Sequence, residues 1–318
     1  MSSLIEQAAE RLEQLRRAGA FIPEAVKSAA PPVVSAPTAG MRQAHEIDPQ
    51  PLETPPRTSQ HVTLDLEALS AAGIVTPNAP RSRAADQYRV IKRPLITNVK
   101  SMGASVLNHG NLIMVTSALV GEGKSFTSVN LAMSIAMELD NTVMLVDADV
   151  ARPSVLRMLG LPPQPGLLDL LEGKTDMPSV LLKTNIDKLT ILPSGTPHPQ
   201  ATELLASDAM RALLDDMAKR YADRIIIFDS PPLLLTTEAR VLATQMGQVV
   251  MVVQADKTLQ ADVQRALSTI KACSHINLVL NKGRSDSVGG DSHGYGFGYG
   301  YGYGYGYGYG APNEKSAT

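Results

Sequence analysis

The chain has 318 residues, enough for one large domain or two modest ones. It is 44% apolar, which is enough to build a core, and its formal charge of -2 gives no reason to expect a nucleic-acid partner. The single cysteine, Cys273, excludes an internal disulfide and fits a reducing compartment. No stretch reaches about 18 consecutive apolar residues and the start lacks a signal-peptide core. The expectation is a soluble, cytoplasmic protein.

Residues 1–20 read as an amphipathic helix. Ser3-x-x-Glu6 has capping-box spacing, Leu4, Ile5, Ala8, Leu12 and Leu15 make one stripe, and Gly19 ends it. A lone helix of this length is marginal in water, so it packs on its own domain or docks on a protein or lipid surface. Residues 21–80 read as a Pro-rich linker containing one weakly helical piece, Leu64 to Ile74. Asp86-x-x-Arg89-x-x-Lys92, ending at Arg93-Pro94, reads either as a solvated charged face or as a strip that pairs with a neighbouring subunit.

The next segment organises the rest. Leu112 to Val115 is an apolar run, a loop holding Gly121 and Gly123 follows, and Lys124-Ser125 opens a helical pattern to Leu139. Strand, glycine loop, Lys-Ser and helix form the context of a phosphate-binding P-loop. The glycines let backbone N–H groups turn inward around phosphate oxygens, and the helix N-terminus adds partial positive charge. Lys124 suits the β and γ phosphates, and the Ser125 hydroxyl suits Mg²⁺. Gly121, Glu122, Gly123, Lys124, Ser125 and Phe126 are therefore the nucleotide-binding candidates. Ala118 stands where the consensus has its first glycine, which is acceptable if its φ is negative.

Further apolar runs at Val143–Val146, Leu189–Leu192, Ile225–Phe228, Val249–Val253 and Leu278–Leu280 alternate with helical patterns at 125–139, 166–172, 201–220, 236–245 and 258–272. Continuous rather than alternating apolar strands mark a sheet buried on both faces. The expected fold is a doubly wound, mostly parallel α/β domain of P-loop NTPase type, with flanking helices. The second strand ends in Asp147-Ala-Asp149, with Arg152 close behind, and the fourth in Asp229. Carboxylates at the carboxyl ends of such strands lie where open α/β sheets bind ligands. Mg²⁺ needs hard oxygen ligands beyond Ser125, so Asp147 and Asp229 are its further candidates, directly or through water, with Asp149 as a helper and either Asp149 or Asp147 as a proton acceptor. Asn281, after the last strand, reads either as a turn residue or as an adenine-reading residue. His198, Asp169, Asp176 and Glu203 read as surface.

Residues 285–318 contain strict Gly–Tyr alternation, which cannot build a packed core and is expected to be disordered. Seven of the nine tyrosines lie there: Tyr295, Tyr299, Tyr301, Tyr303, Tyr305, Tyr307 and Tyr309.

Together these motifs resemble those of bacterial tyrosine kinases. Ala118 to Ser125 resembles their Walker A motif, Asp147-Ala-Asp149-Val-Ala-Arg152-Pro153 their Walker A′ motif, and Phe228-Asp229-Ser-Pro-Pro their Walker B motif. Asp86-x-x-Arg89-x-x-Lys92 resembles their oligomerisation motif, and the tyrosine run resembles their autophosphorylation cluster. The chain as a whole is similar to the tyrosine autokinases of exopolysaccharide loci of the exosortase type.

Related partition ATPases carry a signature lysine where Leu119 stands, which favours the kinase branch. The resemblance implies a kinase domain over 81–284, with ATP and Mg²⁺ as cofactors. Lys124, Asp147, Asp149, Arg152 and Asp229 would be its catalytic set. It implies a ring-like homo-oligomer, a membrane chain-length determinant (polysaccharide copolymerase) as partner, a tyrosine phosphatase, and peripheral attachment to the inner membrane through the partner. Two other readings stand beside it: a non-kinase ATPase switch, and a structural protein whose Gly–Tyr tail self-associates.

Overall fold

A computed structural model describes residues 59–100 and 107–283. The expected N-terminal helix, most of the linker, and the tyrosine run lie outside the described residues.

In chain order the elements are β1 (Gln60–Val62), α1 (Leu66–Ala71), α2 (Arg83–Val99), β2 (Leu112–Ser117), α3 (Lys124–Ala136), β3 (Thr142–Asp147), α4 (Val155–Met158), α5 (Leu167–Leu171) and α6 (Met177–Val180). Then come β4 (Leu182–Thr184), β5 (Leu189–Leu192), α7 (Ala201–Leu205), α8 (Asp208–Arg220), β6 (Arg224–Asp229), α9 (Glu238–Ala243), β7 (Gln248–Gln254), α10 (Gln260–Thr269) and β8 (Ile276–Asn281). The strands form one sheet in the order β1-β4-β5-β3-β6-β2-β7-β8. Every neighbouring pair is parallel except β4 with β5.

Strand alternation divides the apolar residues between two cores. Leu112, Met114, Met144, Val146, Ile226, Phe228, Val249 and Met251 face one, with α8 and α9. Ile113, Val115, Val143, Leu145, Ile225, Ile227, Val250 and Val252 face the other, with α2 and α3. A strand covered on both faces must be apolar at every position, and for that reason its sequence reads as a run. The edge strand β8 departs from this: Leu278 and Leu280 are exposed.

Several expectations change. Residues 59–80 belong to the domain rather than to a linker: β1 pairs with β4, and Leu64, Leu69, Ile74 and Val75 are buried. Asp65 caps α1 by accepting from the N–H groups of Glu67 and Ala68. Helix α2 runs through Pro94 to Val99. Pro94 sits on the exposed side, where water can take the carbonyl it leaves free, while Leu95 and Ile96 are buried on the other. The helix expected over 201–220 is two helices, because the Ser207 hydroxyl accepts from the Met210 N–H and starts α8 afresh.

The charged strip does not hold as three. Asp86 and Arg89 stand exposed and pair with each other at 2.8 Å. Lys92 is buried instead, donating to the Ser134 carbonyl at 2.5 Å and pairing with Glu138 at 2.8 Å. Each step of three residues falls about 60° short of a full turn, so Lys92 lies about 120° from Asp86 and faces α3. Lys92 therefore ties α2 to α3 within the subunit.

Candidate active site

The candidate site is built where β2, β3 and β6 end side by side. Registry places Asp147 opposite Asp229, and Asp229 opposite Val115. Loop 118–123 leaves β2, and α3 begins at Lys124. Gly121 and Gly123 take φ of 84° and 98°, a region that side chains resist. Ala118 is fully buried and is not among the residues of positive φ, so alanine fills the first consensus position without strain.

Glu122 is also buried. Its carboxylate accepts from the Leu119 N–H at 2.7 Å and from the Thr258 hydroxyl. Its side chain therefore braces the loop, and its backbone amide is the part available to a ligand.

Lys124 is drawn into the carboxylate set. Its ammonium lies 2.6 Å from Asp149 and 3.9 Å from Asp229, and donates to the Ser125 hydroxyl at 3.1 Å. Asp229 accepts from the Ser128 hydroxyl at 3.0 Å through one oxygen, while its other oxygen is buried without a partner. Asp147 is divided in the same way. One oxygen accepts from the Ser154 and Val155 N–H groups, both at 3.0 Å, and the other is buried without a partner.

Burial, and then the neighbouring Asp229 charge, pushes the Asp147 carboxyl up to about 7. Burial likewise raises Asp229 to about 6, although Lys124 pulls the other way. Two unsatisfied carboxylate oxygens in a dry pocket, beside a serine hydroxyl, fit the donor set of Mg²⁺. Among the described residues no three His, Cys, Asp or Glu side chains could close around a metal by themselves. A magnesium ion here needs phosphate oxygens and water to complete its shell, which suits an ion that arrives with a nucleotide.

A cleft of about 400 Å³ opens beside this set. Gly121, Gly123, Lys124, Ser125, Phe126 and Asp149 form its floor, with Arg152 and Arg157 among its other walls. The structure thus gathers Lys124, Ser125, Asp147, Asp149 and Asp229, and places Phe126 and Arg152 at the same cleft. Asn281 approaches the loop from outside: its amide donates to the Glu122 carbonyl at 2.9 Å.

Two residues were not foreseen. Lys282 donates to the Gly121 carbonyl at 2.7 Å. Asp169, expected on the surface, is buried and accepts from the Gly166 and Thr196 N–H groups at 2.8 and 2.9 Å. Burial opposes its charge, but those N–H groups prevail and hold its carboxyl below the usual range. Spacing gave a clue here, because an acid three residues after Gly166 is placed to cap α5.

Comparison with known proteins gives the family. Residues 108–281, more than half of the chain, match a ParA family model described as an iron-transfer P-loop NTPase of the NUBPL kind. The tyrosine-protein kinase YwqD of Bacillus subtilis is 32% identical over 200 residues, covering 63% of this chain and 81% of that protein. The chain belongs to the bacterial tyrosine-protein kinases, within the ParA-type P-loop NTPases. The kinase domain of VpsO superposes on this family member with a TM-score of 0.52 at 27% identity, covering 61% of this chain and 94% of that one. Against the putative tyrosine-protein kinase EpsB of Ralstonia nicotianae, which is 30% identical, the chain spans only 26% of the relative's length. No helix among the described residues is long and apolar enough to cross a membrane.

Proposed function

We propose that this chain is an ATP-dependent protein tyrosine autokinase whose acceptors are Tyr295, Tyr299, Tyr301, Tyr303, Tyr305, Tyr307 and Tyr309 of a neighbouring subunit. The observation that carries the reading is the convergence of Lys124, Asp149 and the half-satisfied Asp147 and Asp229 on the P-loop cleft.

The loop amides and the start of α3 bind the phosphates, and Lys124 leaves its carboxylate partners to hold their outer oxygens. Ser125, Asp147 and Asp229 would hold Mg²⁺, directly or through water, and the ion would supply positive charge against that building on the phosphates. A tyrosine hydroxyl, with an ordinary pKa of about 10, enters protonated. Its oxygen bonds to the γ-phosphorus as the bond from that phosphorus to the bridging oxygen breaks, and ADP leaves. The hydroxyl proton passes to Asp149, which Lys124 has released. Arg152, at the mouth, offers positive charge to the transferring group.

Each phosphotyrosine adds roughly 1.5 to 2 negative charges, on the order of 10 to 14 for the seven. Tails crowded in a ring of subunits would repel, so phosphorylation loosens the assembly. On this reading the kinase regulates exopolysaccharide polymerisation and export. A membrane chain-length determinant activates it and holds it at the inner membrane, and a tyrosine phosphatase resets it. The resemblance to autokinases of exosortase-type loci supports this, and the names of the relatives support the kinase activity itself.

The test is phosphotyrosine mapping of the whole protein after incubation with ATP and Mg²⁺, beside Lys124→Met. Label on Tyr295 to Tyr309 that the variant lacks is the expected result. ATP hydrolysis with no tyrosine label, even with a partner's cytosolic peptide present, would point to a nucleotide-driven switch instead.

A further inference from the structure

Outside the cleft, the carboxyl end of β8 grips the back of the phosphate loop. Asn281 donates to the Glu122 carbonyl at 2.9 Å, and Lys282 donates to the Gly121 carbonyl at 2.7 Å. The pair is itself fixed. The Asn281 side-chain oxygen accepts from the Lys282 N–H at 2.9 Å, its backbone carbonyl accepts from the Ala255 N–H at 2.8 Å, and Lys282 takes a positive φ of 58°. The contact is close: a Cβ on Gly123 would lie 2.1 Å from the Asn281 amide nitrogen.

Peptide geometry gives these bonds a consequence. Among the described residues all peptide bonds are trans, so each N–H points opposite to the carbonyl of its own unit. The carbonyls of Gly121 and Glu122 are pulled outward to Lys282 and Asn281. The N–H groups of the same two units, on Glu122 and Gly123, therefore point away from Asn281 and Lys282. Gly123 has the conformational freedom that lets the 122–123 peptide unit flip, and Gly121 frees one end of the 121–122 unit, so something must choose the orientation that binds anions.

We propose that Asn281 and Lys282 are positioning residues that latch the phosphate loop in its anion-binding orientation and so set nucleotide affinity. This deepens the proposed function and rests on its nucleotide site. A latch that presets the amides removes an ordering cost from binding. Because it acts on amides rather than on a γ-phosphate contact, ATP and ADP affinity should change together.

The test uses the full chain, with fluorescent ATP and ADP analogues and Mg²⁺, and compares the parent with Lys282→Met, Lys282→Arg and Asn281→Asp. Lys282→Met should weaken both nucleotides about tenfold, by a similar factor for each, while the ligand-free melting temperature stays within about 2 °C because Lys282 is exposed. Lys282→Arg, which keeps a donor, should recover most of the affinity. Asn281→Asp sets a carboxylate oxygen against the Glu122 carbonyl and should weaken binding further than Lys282→Met. Unchanged affinity in Lys282→Met overturns the latch, as does a fall in melting temperature with affinity intact. A parent that binds neither analogue overturns the nucleotide site itself, and the latch with it.

Discussion

Asp147 offers a direct test of the site's physics. Its carboxyl lies in a dry pocket facing Asp229, and its pKa is pushed up to about 7 from 3.8. Folding therefore favours the protonated form, and the ionised form costs stability. That cost is absent below about pH 4, grows as the pH rises, and is complete above about pH 7. A shift of about three units corresponds to about 4 kcal/mol.

Asp147→Asn keeps an oxygen for the Ser154 and Val155 N–H groups and removes the charge facing Asp229. In chelator-containing, nucleotide-free buffer at pH 8 the variant should be more stable by about 3 to 4 kcal/mol. For a domain of this size that is about 6 to 16 °C in melting temperature. Near pH 5 the gap should shrink to less than half. With Mg²⁺ and ATP added the order should reverse, because only the parent keeps the carboxylate for the ion. Melting curves across pH 5 to 8 check all three statements. A variant that melts at or below the parent at pH 8, or a gap that does not move with pH, would refute the argument.

Lys92→Met should destabilise the subunit by about 2 to 3 kcal/mol, because it strands Glu138 and the Ser134 carbonyl beside a buried face; chemical denaturation measures it. Arg89→Ala removes an exposed pair worth under about 1 kcal/mol, so stability should hold. If Asp86 and Arg89 meet a neighbouring subunit, light scattering should show smaller assemblies, whereas unchanged size would remove that role. Gly123→Ala combines a positive φ with a 2.1 Å approach to Asn281 and should lower ATP affinity at least a hundredfold by calorimetry; retained affinity would mean the loop binds phosphate in another shape.

What the sequence revealed follows from what repeats in it. The central strands were legible because burial on both faces leaves no polar position from Leu112 to Val115 or Ile225 to Phe228. The P-loop and the strand-end aspartates were legible because their spacing is local. Strands β1 and β4, three residues each, carry too little pattern to be seen, and their place depends on pairing with distant chain. The direction of Lys92 was misread because a three-residue repeat drifts around a helix. Lys282 was missed because its partner is a backbone group 161 residues away, and Asp169's bond to Thr196 is likewise remote, although its bond to Gly166 was legible three residues upstream.

The ordering of the sheet sets the two ends of the described domain apart. Residues upstream of Gln60 join the domain at the β1 edge, and those beyond Gly283 leave it after β8. Seven strand spacings, about 34 Å, lie between those edges. The phosphate loop, which follows β2, stands two strands from β8 and five from β1. A change at the β1 edge therefore acts on the phosphate loop across about 24 Å of sheet, and a change at β8 across about 10 Å.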